Sequence, residues 1–120
     1  MALHDTVVRR ITEWHEEKGD DVTAELPGYQ KPPRCYGSRG RAYIPDVYVF
    51  NRRLAYEVKQ YLAYRYAGPK LKAIAASPKV SKVILVLCTG TPDGVARVQN
   101  FMEDSGVECG VLSYRDLPNW

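Results

Sequence analysis

Hydrophobic and polar residues alternate in two neighbouring runs near the middle of the chain, residues 43–50 and 54–59. Both runs are rich in Val and Tyr, a pattern that predicts two antiparallel strands joined by a tight turn. If Asn51 and Arg52 form a two-residue turn, Phe50 faces Arg53. Each residue further from the turn on one strand then faces the residue equally far from the turn on the other. The sequence therefore predicts both a hairpin and its register.

The remaining apolar residues follow helical or strand spacing over longer segments. Helices with one buried face are predicted for residues 3–18, 69–77 and 91–106. Strands are predicted for residues 22–26, 82–88 and 107–112, and the unbroken apolar run within 82–88 is typical of a strand buried on both faces. Residues 27–42 are rich in Pro, Gly and basic side chains and are predicted to form a long irregular loop. The predicted order is αβββαβαβ, an α/β fold in a single domain over residues 1–120.

Three charged residues of the hairpin are predicted to share one of its faces. In the predicted register Asp46 lies directly opposite Glu57, and Lys59 follows Glu57 by two residues on the same face. Facing carboxylates repel each other, so their pairing indicates a cation between them. Carboxylates, water and phosphate are the ligands that Mg²⁺ prefers. The alternative is an exposed salt bridge of Lys59 with both carboxylates, which contributes about 0–1 kcal/mol.

Basic residues are concentrated around this acidic pair. Twelve of the 17 Lys and Arg residues lie between residues 26 and 92, whereas only two of the 14 Asp and Glu residues do, Asp46 and Glu57. Such a positive region is typical of a surface that binds a polyanion such as nucleic acid. The alternative is a set of solvated basic side chains whose charge is balanced by the acidic terminal segments.

Several classes of protein are not expected from this composition. No apolar run reaches about 18 residues, so no membrane span is expected, and the first five residues lack the pattern of a signal peptide. The three cysteines form an odd number without metal-binding spacing, which argues against a disulfide framework or a zinc site. A reducing compartment, the cytoplasm, is therefore expected.

The acidic pair and the lysine also resemble a known signature. Pro45-Asp46, ten further residues and then Glu57-Val58-Lys59 resemble the motif of the PD-(D/E)XK, or restriction-endonuclease-like, nuclease superfamily. The predicted elements over residues 3–88 are similar to the core of that superfamily, and the last helix and strand fit a common extension. The resemblance implies a restriction-endonuclease-like core, a mixed central sheet flanked by helices. It also implies a Mg²⁺-dependent endonuclease that hydrolyses DNA phosphodiester bonds, with Mn²⁺ as a substitute ion.

Two branches of the superfamily are especially similar to this chain. Its small size resembles that of archaeal-type Holliday junction resolvases, and the glycine-rich basic loop before the motif resembles that of VRR-type nucleases. These likenesses imply a Holliday junction or other branched DNA as the substrate, and a homodimer as the active form.

The resemblance assigns roles to the residues of the motif. Asp46 and Glu57 would be the side-chain ligands of the metal, with the backbone carbonyl of Val58 as a third ligand. Lys59 would lie beside the metal-bound water. There it can orient the water, accept its proton or neutralise charge on the phosphate, and these three roles stay open.

Two further residues are candidates by the same resemblance. His4 lies on the apolar face of the first predicted helix, where relatives often carry an acid or sometimes a histidine. The alternative for His4 is a core histidine satisfied by the backbone. Gln60 follows the motif lysine, where relatives often have a polar helper. His15, further along the helix, is predicted to be structural.

DNA binding is expected to use the backbone phosphates. The candidate residues are Lys31, Arg34, Arg39, Arg41, Arg65, Lys70 and Lys72. Tyr61, Tyr64 and Tyr66 can stack on unpaired bases, line a dimer surface or simply cover the core. Two interpretations compete with the nuclease: a catalytically silent nuclease-like fold that binds nucleic acid or a partner, and an unrelated α/β fold in which the trio is accidental.

Overall fold

The protein contains three helices and seven strands within residues 3–119, the part of the chain that the computed structural model describes. The helices are α1 (Leu3–Glu17), α2 (Gly68–Ala76) and α3 (Pro92–Asp104). The strands are β1 (Val22–Ala24), β2 (Cys35–Tyr36), β3 (Ala42–Tyr43), β4 (Val47–Val49), β5 (Leu54–Lys59), β6 (Lys82–Leu87) and β7 (Gly110–Ser113). Met1, Ala2 and Trp120, which the single-domain prediction includes, lie outside the described residues.

Five strands form the central sheet in the order β1-β4-β5-β6-β7. β4 pairs antiparallel with β1 and β5, whereas β6 pairs parallel with β5 and β7. Val47 faces Tyr56 and Val49 faces Leu54, which is the register predicted from the turn. The prediction of an α/β fold with a mixed central sheet flanked by helices is therefore confirmed.

The helices cover the two faces of this sheet and enclose two hydrophobic clusters. α1 packs on β1, β4 and β5, and Val7, Val8 and Ile11, at helical spacing, are fully buried there. α2 and α3 cover the opposite face, where Leu71 and Met102 are fully buried. Burying one such side chain contributes about 1.5–3 kcal/mol. β6 supplies alternate residues to both clusters, which confirms that it is buried on both faces.

The structure corrects two predicted strand boundaries. The first hairpin strand is Val47–Val49 rather than residues 43–50, because Pro45 has no N–H to donate and interrupts the ladder. The last strand begins at Gly110 rather than at residue 107. The N–H of Val107 instead donates to the carbonyl of Met102 at 2.9 Å, so this segment completes the end of α3 before the strand starts.

The predicted irregular loop, residues 27–42, contains a second small sheet made of β2 and β3. Gly37 connects these strands and lies close to α2. A Cβ atom at this position would lie 3.0 Å from the ring of Tyr43 and 3.3 Å from the Cβ of Ala73. Glycine therefore allows the β2–β3 hairpin to pack closely against α2, which brings the basic loop beside that helix.

His15 is structural, as predicted. It is 1% exposed, and its Nδ1 lies 2.7 Å from Asp20 Oδ2 while its Nε2 lies 2.8 Å from the hydroxyl of Tyr56. Arg52 donates to the same Asp20 carboxylate at 2.9 Å. These bonds tie the end of α1 to the central strand β5 and to the hairpin turn.

Candidate functional site

Asp46 and Glu57 meet at one end of the β4–β5 pair. Asp46 directly precedes β4, and its N–H donates at 3.0 Å to the carbonyl of Tyr56, the residue that Val47 already faces. Asp46 and Val47 thus share one partner, which is a β-bulge that shifts Asp46 out of its predicted position directly opposite Glu57.

Tyr48 and Ala55 belong to the cluster beneath α2 and α3. Because side chains alternate along a strand, Glu57 points to that same side, where it contacts Lys70 of α2. Asp46 contacts His4 of α1, and the two carboxyl groups interact directly at the end of the strand pair. Lys59, two residues beyond Glu57, lies on the same side of the sheet as Glu57.

Both carboxylates are buried. Asp46 is 7% exposed and Glu57 is 2% exposed. The ammonium of Lys70, from the first turn of α2, lies 2.8 Å from Glu57 Oε2. Lys59 is half-buried at the end of β5 and makes no ion pair within 4 Å among the described residues. The alternative of an exposed salt bridge between Lys59 and the two carboxylates is therefore wrong, because the charges are buried and Lys70 takes the contact.

The pKa values of the two carboxyl groups move in opposite directions. Burial, followed by the negative charge of Asp46, raises the pKa of Glu57 to about 8, and Lys70 opposes this rise. Burial alone would raise the pKa of Asp46, but contacts with His4 and Glu57 and a bond from the Val58 N–H hold it below its ordinary value. Asp46 thus carries the negative charge of the pair, and Glu57 retains a proton near neutral pH.

One oxygen of this pair lacks a partner. Glu57 Oε1 is buried, and no hydrogen-bond donor contacts it among the described residues. A buried acceptor without a donor costs about 1–3 kcal/mol. The pair therefore combines a costly desolvation with an unused oxygen, which fits a hard cation that would satisfy both.

The backbone of Val58 completes this arrangement. Its N–H donates to Asp46 Oδ2 at 2.8 Å. Because the N–H and C=O of one residue in an antiparallel pair point the same way, its carbonyl also points toward Asp46, beyond the last β4–β5 bond. The residues described by the structure include no group of three or more His, Cys, Asp or Glu side chains arranged around one metal position. A cation here would have two side-chain ligands, with Val58 as the candidate third.

His4 approaches Asp46 from the first turn of α1. Its Nε2 lies 3.2 Å from Asp46 Oδ2, and its Nδ1 lies 3.1 Å from Asp5 Oδ1. The side chain is 37% exposed. His4 is therefore not a core histidine satisfied by the backbone, and the structure brings it into direct contact with a residue of the predicted site.

The contact between His4 and Asp46 leads to a testable prediction. The hydrogen bond to Asp46 raises the pKa of His4 to about 9, against opposing burial. We expect Asp46→Asn to lower that pKa by about two units, toward the ordinary 6.5, because the charged partner is removed. A titration followed by the ring-proton NMR signals measures this directly, and His15 is the internal control since Asp46 does not contact it. An unchanged His4 titration in the variant would contradict the observed contact.

Gln60 does not join the acidic pair in this structure. It is exposed, and its carbonyl accepts the N–H of Ala63 at 2.9 Å to begin the next turn. Its side chain makes no hydrogen bond to another described residue. Its predicted role as a polar helper thus lacks a contact to support it.

The basic residues predicted to bind DNA fall into two groups. Six of the seven are exposed: Lys31, Arg34, Arg39, Arg41, Arg65 and Lys72. Lys72 and the β2–β3 hairpin border a shared cleft of about 260 Å³, lined also by Gly37 and Tyr43. Lys70 differs because it is half-buried and bound to Glu57. This contact could not be predicted, since no sequence pattern shows that the first turn of α2 lies over β5.

The three tyrosines after the motif are separated by the fold. Tyr64 is 7% exposed and packs edge-on against Phe101, with ring centroids 5.2 Å apart. Tyr61 is half-buried against α3, where a Cβ added at Gly94 would lie 3.0 Å from its ring. Both cover the core, whereas Tyr66 is 81% exposed.

No protein-family model, curated protein or solved structure matches this chain significantly. The residues and their geometry are therefore the only basis for a functional assignment. None of the helices in the described part of the chain is both long and apolar enough to cross a membrane.

Proposed function

We propose that the protein is a Mg²⁺-dependent endonuclease that hydrolyses DNA phosphodiester bonds and belongs to the PD-(D/E)XK superfamily. The observation that carries this proposal is the buried pair of Asp46 and Glu57, whose carboxyl groups interact at one end of the β4–β5 pair with one oxygen unpartnered. Natural proteins seldom bury two interacting carboxylates unless they serve a site. The sheet order and the helix on each face support the same assignment.

The donor set suits the chemistry of phosphodiester hydrolysis. A divalent ion supplies charge neutralisation on the phosphate and a water that ionises near neutral pH. Asp46 and Glu57 would hold such an ion, with the Val58 carbonyl as the third protein ligand. His4 would orient Asp46 through the bond at 3.2 Å. These residues bind and orient, while the substrate phosphate and water complete the coordination.

The two lysines beside the pair have different roles in this proposal. Lys59 has no carboxylate partner among the described residues, so its ammonium is available to the scissile phosphate or to the attacking water. The ammonium of Lys70 lies 2.8 Å from Glu57 Oε2. Where Asp46 and Glu57 hold an ion, Lys70 would lie beside the site and add positive charge near the phosphate. Both lysines then place positive charge where negative charge develops during the reaction.

The finer assignments rest on the resemblance and on the exposed basic residues. We infer that branched DNA is the substrate, that two copies of the chain act together, and that the protein works in the cytoplasm. The basic residues on the β2–β3 hairpin and on α2 would contact phosphates on either side of the cut. Sedimentation with and without DNA tests the dimer.

The proposed activity is tested with labelled DNA of four kinds: single-stranded, plain duplex, nicked and four-way branched. Each is incubated with the protein in Mg²⁺, in Mn²⁺ and in EDTA. We expect cleavage in both ions and none in EDTA, with branched DNA cut fastest. The Asp46→Asn protein, purified in parallel, excludes a contaminating nuclease. Absence of cleavage on all four DNAs would refute the proposal.

One observation favours a second candidate, a catalytically silent module that binds nucleic acid or a partner. The ammonium of Lys70 already contacts Glu57, so the fold offers this carboxyl group a cationic partner without any metal. Calorimetric titration with Mg²⁺ separates the two candidates. The nuclease should bind one ion, and Asp46→Asn should weaken this binding at least tenfold. Asp104→Asn, an exposed change at the end of α3, should leave it unchanged. If the wild-type protein shows no binding at this site, the silent module is the better description.

A further inference from the structure

The segment Tyr61–Tyr66 forms a 3₁₀ helix that begins two residues after Lys59. Residues three apart in such a helix lie above one another, so the segment has three ridges. Tyr61 and Tyr64 form the inner ridge, with ring centroids 5.8 Å apart, and pack against α3. This anchoring fixes the direction in which the two outer ridges point.

The outer ridges carry apolar side chains that the fold does not cover. Leu62 is 89% exposed and Tyr66 is 81% exposed, and these are the highest values among the exposed large hydrophobic residues of the described chain. Arg65 shares the ridge of Leu62 and is also exposed. Neither apolar side chain contributes to the core, so packing does not account for them.

These side chains lie close to the proposed active site. Leu62 is three residues from Lys59, so their Cα atoms are at most about 11 Å apart. Tyr66 lies about 8 Å further along the 3₁₀ segment, at a rise of about 2 Å per residue. Leu62 and Tyr66 are therefore within reach of the nucleotides next to a phosphate held at Lys59.

Resting on the proposed nuclease function, we propose that Leu62 and Tyr66 form a prong that contacts an unstacked base at a branch point or strand break. Apolar side chains that enter a base step, and aromatic rings that stack on a free base, are established modes of binding to distorted DNA. Arg65 supplies the adjacent phosphate contact. The prong would select DNA that has a base free to be contacted.

The surroundings favour a nucleobase over a second protein as the occupant. Within three residues of Leu62 or Tyr66 along the chain lie the exposed polar residues Gln60 and Arg65 and the half-buried Lys59. Protein interfaces have an apolar centre depleted of charge, whereas a base has a small apolar face next to a negative phosphate. The prong matches the second pattern.

The test measures binding of four-way branched and plain duplex DNA by fluorescence anisotropy in EDTA, where cleavage is absent. The proteins are the wild type, Leu62→Ala with Tyr66→Ala, and the control Phe50→Ala. Phe50 is also an exposed apolar residue, 40% exposed, but lies at the turn, at the other end of β5. Permanganate oxidation of thymines at the branch reports unstacking in the same samples.

We expect the wild type to prefer branched DNA and to make branch thymines reactive. The double variant should lose this preference by roughly tenfold, while Phe50→Ala retains it. Equal binding of both DNAs by the wild type, or an unaltered preference in the double variant, would overturn the proposal. A change of oligomeric state in sedimentation, without a change in preference, would show instead that the prong is an interface between copies. If the proteins show these binding results but the wild type does not cleave DNA in Mg²⁺, the nuclease function is refuted while the proposed prong is supported.

Discussion

Replacing Asp46 with asparagine or Lys59 with alanine is expected to reduce Mg²⁺-dependent DNA cleavage by roughly 10²–10³-fold or more, the scale observed when one preorganised charge is removed from an active site. Asp46 would lose the charge that holds the ion and positions His4. The Lys59→Ala protein would lack the ammonium group that has no structural partner among the described residues. Initial rates on the best-cleaved DNA measure both effects.

The Lys59 variant needs a control that removes a lysine without approaching the site. Lys82 is exposed at the start of β6, the end of the sheet away from Asp46. Lys82→Ala should retain nearly full activity, and all three variants should unfold cooperatively like the wild type. Full activity in Lys59→Ala would remove that residue from the mechanism, and full activity in Asp46→Asn would remove the whole site.

Much of the fold was predictable because its signals are local. The turn at Asn51 and Arg52 sets the β4–β5 register, and a run of five apolar residues marks β6 as the buried strand. The β2–β3 hairpin was missed because each strand has only two residues. Its position depends on Gly37 fitting against α2, which is a tertiary contact without a sequence pattern.

The site was predictable only where it depends on strand register. The hairpin register was sufficient to place Asp46 near Glu57, but it did not predict the one-residue shift of the ladder at Asp46. The contact of Lys70 with Glu57 depends instead on how α2 packs over β5, and its sequence position suggested only a surface lysine. The pairing of His4 with Asp46 lay between these cases, since the resemblance indicated a polar residue on α1 but not its hydrogen bond.

At Glu57, effects on stability and on activity can be measured separately. Burial makes the ionised form of this carboxyl group unfavourable in the folded protein. Its pKa is about 8 in the folded protein and about 4.5 ordinarily, so the folded state binds this proton more tightly than the unfolded chain. Stability therefore falls as pH rises from about 4.5 to about 8. An isosteric amide at this position does not ionise, so its stability does not fall over this pH range.

We accordingly expect Glu57→Gln to match the wild type at pH 5 but to be more stable by roughly 2–4 kcal/mol at pH 8.5, while being inactive on DNA. Urea unfolding at the two pH values measures the difference, and Glu108→Gln, an exposed change, should alter neither value. If the ion pair of Glu57 with Lys70 existed for stability, the same substitution would instead destabilise the protein at pH 8.5. A stabilised and inactive Glu57→Gln would show that the buried carboxylate is retained for its chemistry, since the fold is more stable without its charge.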